Sequence, residues 1–221
     1  MNKLNSMFEH IFTDTHNIVF LHAHCDDESF LSAGILNELS KIGRKCTVIY
    51  AAAGIVEGEE KTYIRQQQSR KSLSLLGINS AFFLEYCEPR YEGHGNHALI
   101  NQHIEDVSKK FWNFLEDNNI SSPISLISYD KNGVYGHKDH KVIHAVGRSI
   151  KKNHQNSVIL SEITMNRTKI NAWLEVAKKR LASELLPQLS YWSEEFGLPQ
   201  KEIEYSYELT EKQIDLKYQS L

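Results

Sequence analysis

Residues 17–43 read NIVFLHAHCDDESFLSAGILNELSKIG. The first eight, Asn17 to His24, are short, apolar and β-branched, which predicts a buried strand. From Glu28 to Lys41 apolar residues recur at helical spacing, with Leu31, Ile35 and Leu39 on one face beside Phe30 and Gly34. Gly43 is the expected helix stop. Between strand and helix stand Cys25, Asp26, Asp27 and Glu28. A chain that places three acids where a buried strand ends is building something at that end.

The same alternation continues. Strands are expected at 46–53 (CTVIYAAA), 80–86 (SAFFLEY), 123–130 (PISLISYD) and 157–165 (SVILSEITM). Helices are expected at 61–77, with Gly77 as stop, at 98–118 with Ile100, Ile104, Val107, Phe111 and Phe114 on one side, and at 139–152. Alternation over about 165 residues implies βαβ units: an α/β, Rossmann-like, mostly parallel sheet with helices on both faces. Right-handed crossovers leave few topologies. The remainder is less regular. Residues 170–196 read as helical with Pro187 as a break, 202–209 (EIEYSYEL) as a short alternating strand, and 210–221 as a helix capped by Thr210. With no repeat, low-complexity tract or linker, 1–221 is expected to form one domain.

Composition narrows the function. The chain has 221 residues, 41% hydrophobic and 24% charged, enough for a real core. A net charge of −3 gives no basic field for nucleic acid. No apolar stretch approaches the roughly 20 residues of a membrane span, and the N-terminus has no signal core, so a cytoplasmic protein is expected. Cys25, Cys46 and Cys87 form no CxxC pair and no disulfide framework.

In parallel sheets the functional crevice lies beyond the carboxyl ends of the strands. HAHCDDE (22–28) lies at the end of the first strand, and YDKNGVYGHKDHKVIH (129–144) at the end of the fourth. The active site is therefore expected at the C-terminal ends of strands 1 and 4, where the two clusters meet. Two histidines and one carboxylate form a common catalytic zinc site. His24 and Asp27, three positions apart in a tight turn, reach one ion, and His140 at the start of the later helix completes the set. Asp26, next to a ligand but pointing elsewhere, suits a general base. His137 oriented by Asp139 suits a general acid, by the logic of a Ser-His-Asp triad. Tyr135 offers a hydroxyl to an oxyanion. The same donor set with open positions also suits Fe(II).

AHCDDE (23–28) resembles the AHPDDE signature of the zinc-dependent N-acetylglucosaminide deacetylases. This LmbE-like family includes the GlcNAc-phosphatidylinositol de-N-acetylases (PIG-L) and the deacetylases of mycothiol and bacillithiol synthesis. YDKNGVYGHKDH (129–140) is similar to its second signature, D-x-N-G-x-Y-G-H-x-D-H, and YIRQQQSRKSLSLLGI (63–78) more weakly to its helix R-x-x-E…A…LG. The resemblance implies a hydrolase that releases acetate and a free amine from a small amino-sugar substrate. It matches His24, Asp27 and His140 to zinc ligands, Asp26 to the base, and His137 with its partner Asp139 to the acid or electrostatic stabiliser. Tyr135 matches the tyrosine that assists the tetrahedral intermediate, Arg65 an arginine of the substrate pocket and Asn132 an asparagine on its rim. This chain departs from the pattern at Cys25 and Lys138, where the family has proline, and at Gln68, where it has glutamate.

His22, inside the strand, reads as a core or supporting histidine. His144, one turn after His140, reads the same way. Glu28 suits either the positive end of the following helix or a bond to a metal ligand. GHGNH (93–97) reads as loop. A thiol beside two acids is a poor nucleophile, which argues against Cys25. Trp173, Tyr191 and Trp192 are candidates for sugar stacking. Competing functions are an amidase of the same fold acting on another C–N bond, and a non-catalytic family member. No G-x-G-x-x-G follows the first strand, against dinucleotide binding. Two histidines speak against an all-oxygen Mg²⁺ site.

Overall fold

The computed structural model describes residues 10–13, 16–52, 59–88, 97–180 and 196–221. Five strands form one parallel sheet: β1 (Asn17–His24), β2 (Cys46–Ala52), β3 (Ser80–Phe83), β4 (Ile124–Tyr129) and β5 (Val158–Ile163), in the order β3-β2-β1-β4-β5. The helices are α1 (Ala33–Lys41), α2 (Glu59–Leu75), α3 (Ile104–Asp117), α4 (Lys138–Asn153), α5 (Arg167–Arg180) and α6 (Glu211–Ser220).

Strand periodicity sorts β1 between two cores. Val19, Leu21 and Ala23 pack with Val107 and Phe111 of α3 and Ile143, Val146 and Ile150 of α4. Ile18 and Phe20 pack with Leu36 and Leu39 of α1 and with Leu73 beside Leu76 on the α2 side. Burial on both faces is why the strand reads as a continuous apolar run. The chain winds outward from β1 through β2 to β3, then returns to place β4 on the other side of β1. The loops leaving β1 and β4 therefore diverge, and the crevice between them is the topological switch point where such sheets bind ligands.

Three expectations are corrected. The buried face of α1 is carried by Leu36 and Leu39, while Leu31 and Ile35 are partly exposed. A wider π turn over Glu28–Ser32 precedes α1 and offsets the helical phase. The helix expected from 98 begins at Ile104, because Leu99 donates to the Cys87 carbonyl and Cys87 to that of His97, tying this stretch to the chain beyond β3. Residues 203–209 form no strand. They run extended across α1, with alternate residues partly buried, and Leu209 fits so closely that a Cβ on Gly34 would lie 2.0 Å from its Cδ2. Their neighbour is a helix, so no ladder forms. Pro187, Tyr191 and Trp192 lie outside the described residues. Among those described, no helix is long and apolar enough to cross a membrane.

Candidate active site

After His24 the chain must turn over the sheet edge. Asp26 does so at φ 132°, a region that side chains rarely adopt, at a cost of about 1–3 kcal/mol. Its N–H donates to Glu28 Oε2 at 3.0 Å, and its carbonyl accepts the N–H groups of Ser29 and Phe30 at 3.0 and 2.9 Å. Glu28 is thus the buried acceptor that holds the strained residue, a third role beside the two expected of it. The turn separates two adjacent acids. The Asp26 side chain is 66% exposed to the cleft, whereas Asp27 is 1% exposed.

The chain leaving β4 is held in a parallel way. Buried Asp130 accepts the N–H groups of Asn132 and Val134 through Oδ1 at 2.7 and 3.1 Å, and the Thr164 hydroxyl through Oδ2. Gly133 and Val134 sit at φ 63° and 64°; for a β-branched residue this is a true outlier. Sequence reasoning passed over Asp130 as a site-building residue, although Asp-x-Asn-Gly is a turn signal. The turn ends at His137, which caps α4 by accepting the Asp139 N–H on Nδ1 at 3.2 Å.

The two turns bring three donors together. His140 Nε2 lies 3.3 Å from His24 Nδ1 and 3.3 Å from Asp27 Oδ1, and His24 Nδ1 lies 3.7 Å from Asp27 Oδ2. Zinc held at about 2.0–2.1 Å in a tetrahedral site sets its ligands roughly 3.3–3.4 Å apart, which the two separations from His140 Nε2 match. His137 is the next nearest: its ring centroid is 4.6 Å from that of His24 and 5.0 Å from that of His140. One nitrogen from each of the three imidazoles falls within 4.8 Å of the others.

Asp139 takes a different partner from the one expected. Its carboxylate accepts from His24 Nε2 at 3.0 Å, and only its backbone meets His137. The N-terminal turn of α4 explains this, because it points the side chain inward beneath the three donors. The bond puts the proton of His24 on Nε2 and turns Nδ1 toward the cluster, the usual support of a metal-binding imidazole. Burial opposes protonation of His24, but Asp139, Asp27 and Glu88 outweigh it and raise its pKa. Burial alone would raise Asp27, yet His140 and His24 hold it well below the usual carboxylate range. The cluster therefore favours a positive charge at its centre. Asp26 behaves oppositely: poor hydration between the cleft walls, then the charge of Asp27, pushes its pKa to about 6. Burial and the neighbouring His24 and His140 push His137 down to about 4.

The Tyr135 ring lies 5.0 Å from that of His140 and 5.9 Å from that of His137, at the mouth of the cluster. Arg65 donates to Glu88 and to the Cys25 carbonyl at 3.2 and 3.1 Å, with Asp26 3.7 Å away. It braces the first turn as well as facing the cleft. Glu88, buried beside Arg65, was missed in the sequence, where nothing ties it to the motifs. The Asn132 amide donates to the Gly197 carbonyl at 2.8 Å, so it fastens a later segment onto the second turn. Gln68 is exposed. His144 lies away from the cluster, with Nδ1 against Glu162 and the Tyr129 carbonyl at 2.9 and 3.0 Å. Burial pushes the Cys25 thiol up to about 12, so it supplies no thiolate. Gly93 to Asn96 lie outside the described residues.

Residues 19–151 match the model of a family described as GlcNAc-PI de-N-acetylase. Two curated relatives are 1D-myo-inositol 2-acetamido-2-deoxy-alpha-D-glucopyranoside deacetylases. That of Corynebacterium diphtheriae is 30% identical over 166 residues, covering 66% of this chain and 56% of its own length. That of Rhodococcus erythropolis is 28% identical over 152 residues, covering 58% and 50%. The chain spans about half the length of these relatives. Among solved structures, the A40926 pseudoaglycone deacetylase superposes with a TM-score of 0.60 at 15% identity, over 94% of this chain and 80% of that one. The N,N'-diacetylchitobiose deacetylase of Pyrococcus horikoshii gives 0.52 at 14%, over 85% and 82%. At these identities the likeness establishes the fold.

Proposed function

The chain belongs to the GlcNAc-PI de-N-acetylase family, and on that premise we propose that it is a metal-dependent N-deacetylase acting on an N-acetylated amino sugar. The observation that carries this reading is the convergence of His24, Asp27 and His140 at 3.3–3.7 Å, with an exposed carboxylate, Asp26, beside them. His24, Asp27 and His140 would hold the ion, for which zinc is the best match to two nitrogens and one oxygen. When bound, such an ion lowers the pKa of water toward about 7 and polarises an acyl carbonyl.

The other roles follow from the chain's own groups. Asp26 removes a proton from water as the water oxygen adds to the acetamide carbon. Its elevated pKa keeps it a base near neutrality that can also return the proton to the departing nitrogen. His137 accepts on Nδ1, so in the neutral ring its proton is on Nε2. Burial disfavours its charged form, and it serves better as a neutral donor to the developing oxyanion than as the acid that protonates the amine. Tyr135 offers a second donor at the mouth. Cleavage of the C–N bond releases acetate and the free amine, with water consumed and no redox change. Arg65, with Glu88, lines the side where the sugar would sit.

The test is acetate release from a panel of N-acetylglucosaminides by protein stripped of metal and by the same protein reloaded with zinc. Release that depends on metal and drops with Asp26→Asn supports the proposal. Metal-independent release, or none from any N-acetylated sugar, overturns it.

A further inference from the structure

Behind the three donors runs a line of buried side chains to which the motifs assign no role. The Ser32 hydroxyl lies 2.9 Å from His22 Nε2, His22 Nδ1 lies 3.0 Å from the Tyr129 hydroxyl, and that hydroxyl lies 2.7 Å from Asp27 Oδ2. All four residues are at most 2% exposed. Proton bookkeeping gives the line one direction. The Asp27 carboxylate already takes the backbone N–H of His24 on Oδ2 and offers acceptor oxygens, so Tyr129 donates to it at 2.7 Å. Tyr129 has one proton, so its oxygen must accept from the Ala23 N–H, at 2.9 Å, and from His22. His22 therefore carries its proton on Nδ1 and accepts on Nε2 from Ser32, whose single proton follows this 2.9 Å contact rather than the 3.3 Å one to the Glu28 carbonyl. Ser32 is in reach because the π turn over Glu28–Ser32 carries it beneath β1.

Two consequences meet at Asp27. Its Oδ2, which also lies 3.7 Å from His24 Nδ1, is filled by Tyr129 and by the backbone N–H of His24 at 2.8 Å, which leaves Oδ1 toward His140. The Tyr129 ring also stacks on that of His140, with centroids 4.2 Å apart and planes 15° from parallel. One side chain thus sets the oxygen that Asp27 presents and the plane of a neighbouring imidazole.

We propose that Tyr129, locked by His22 and Ser32, is the positioning residue of the metal site. It confines Asp27 to donation through Oδ1 alone and so preserves an open position for the reacting groups. The inference rests on the metal-site reading above.

Tyr129→Phe keeps the ring on His140 and removes only the hydroxyl. Cobalt(II) titration of metal-stripped protein reads both affinity and ligand field. The wild type is expected to bind one equivalent with the strong visible absorption of a four-coordinate ion. Tyr129→Phe is expected to bind roughly 10- to 100-fold more weakly and to show weaker bands at higher energy, as Asp27 swings both oxygens onto the ion. His22→Leu, which removes the donor behind Tyr129, is expected to give the same spectral change in smaller measure, and His22→Gln, which restores an N–H donor, to recover the wild-type spectrum. If Tyr129→Phe does not fold, the two His22 variants decide. Variants that lose thermal stability while keeping wild-type affinity and spectrum overturn the inference but leave the metal reading intact. A wild type that binds no cobalt overturns both.

Discussion

The turn after β1, Cys25 to Asp27, and the turn after β4, Asp130 to His137, use one device in two forms. Each contains backbone at positive φ, one residue in the first and three in the second, and each is held by a buried carboxylate that accepts the N–H of a strained residue. In the first turn the acceptor, Glu28, follows the strained residue and belongs to the π turn. In the second it is Asp130, which precedes it. The first turn is so short that consecutive residues must divide the work, Asp27 inward and Asp26 outward. The second has room to present Tyr135, His137 and His140 separately, and it is fastened from outside by Thr164 and Gly197. A short turn delivers charge and a long one delivers imidazoles; the ion-sized gap between them exists because β1 and β4 are neighbours.

That comparison can be broken from either side. Asp27→Ala should have the largest effect, removing metal retention and with it measurable acetate release; metal analysis after gel filtration checks it. Asp26→Asn should retain metal yet lower kcat by roughly 10²–10⁴-fold, since it sits on the same turn but faces the cleft. Asp130→Ala leaves two N–H groups and a hydroxyl without their acceptor, each costing about 1–3 kcal/mol. It should lower the denaturation midpoint well beyond Glu28→Gln, which keeps an acceptor oxygen for the Asp26 N–H. Similar losses for the two variants would erase the distinction between the turns. The smallest effect is on pH. Asp26 acts as its ionised form, and poor hydration between the cleft walls, then the charge of Asp27, raises its pKa to about 6. The active form is therefore lost as pH falls through that value, and kcat/KM should drop tenfold per unit below it while remaining level just above.

The sheet was legible because its strands are buried on both faces and punctuated by glycine, and β1 and β4 match their expected bounds within a residue. Where periodicity misled, a tertiary contact had intervened: the Cys87–Leu99 pairing delays α3, and α1 denies 203–209 a strand partner. The acids and histidines of the two motifs were legible because strand ends place them. Their partners were not. Asp139 beneath His24, Tyr129 beneath Asp27 and Glu28 beneath Asp26 depend on contacts across the crevice or on a strained backbone, and no spacing rule encodes either.

In the proposed site Asp27, and not His137, completes the ion's ligand set with His24 and His140. X-ray absorption at the metal edge of the zinc-loaded protein tests it directly. Two imidazoles and at least one carboxylate oxygen are expected, with that signal lost in Asp27→Ala and unchanged in His137→Ala. Three imidazoles, with His137→Ala removing one, would contradict it.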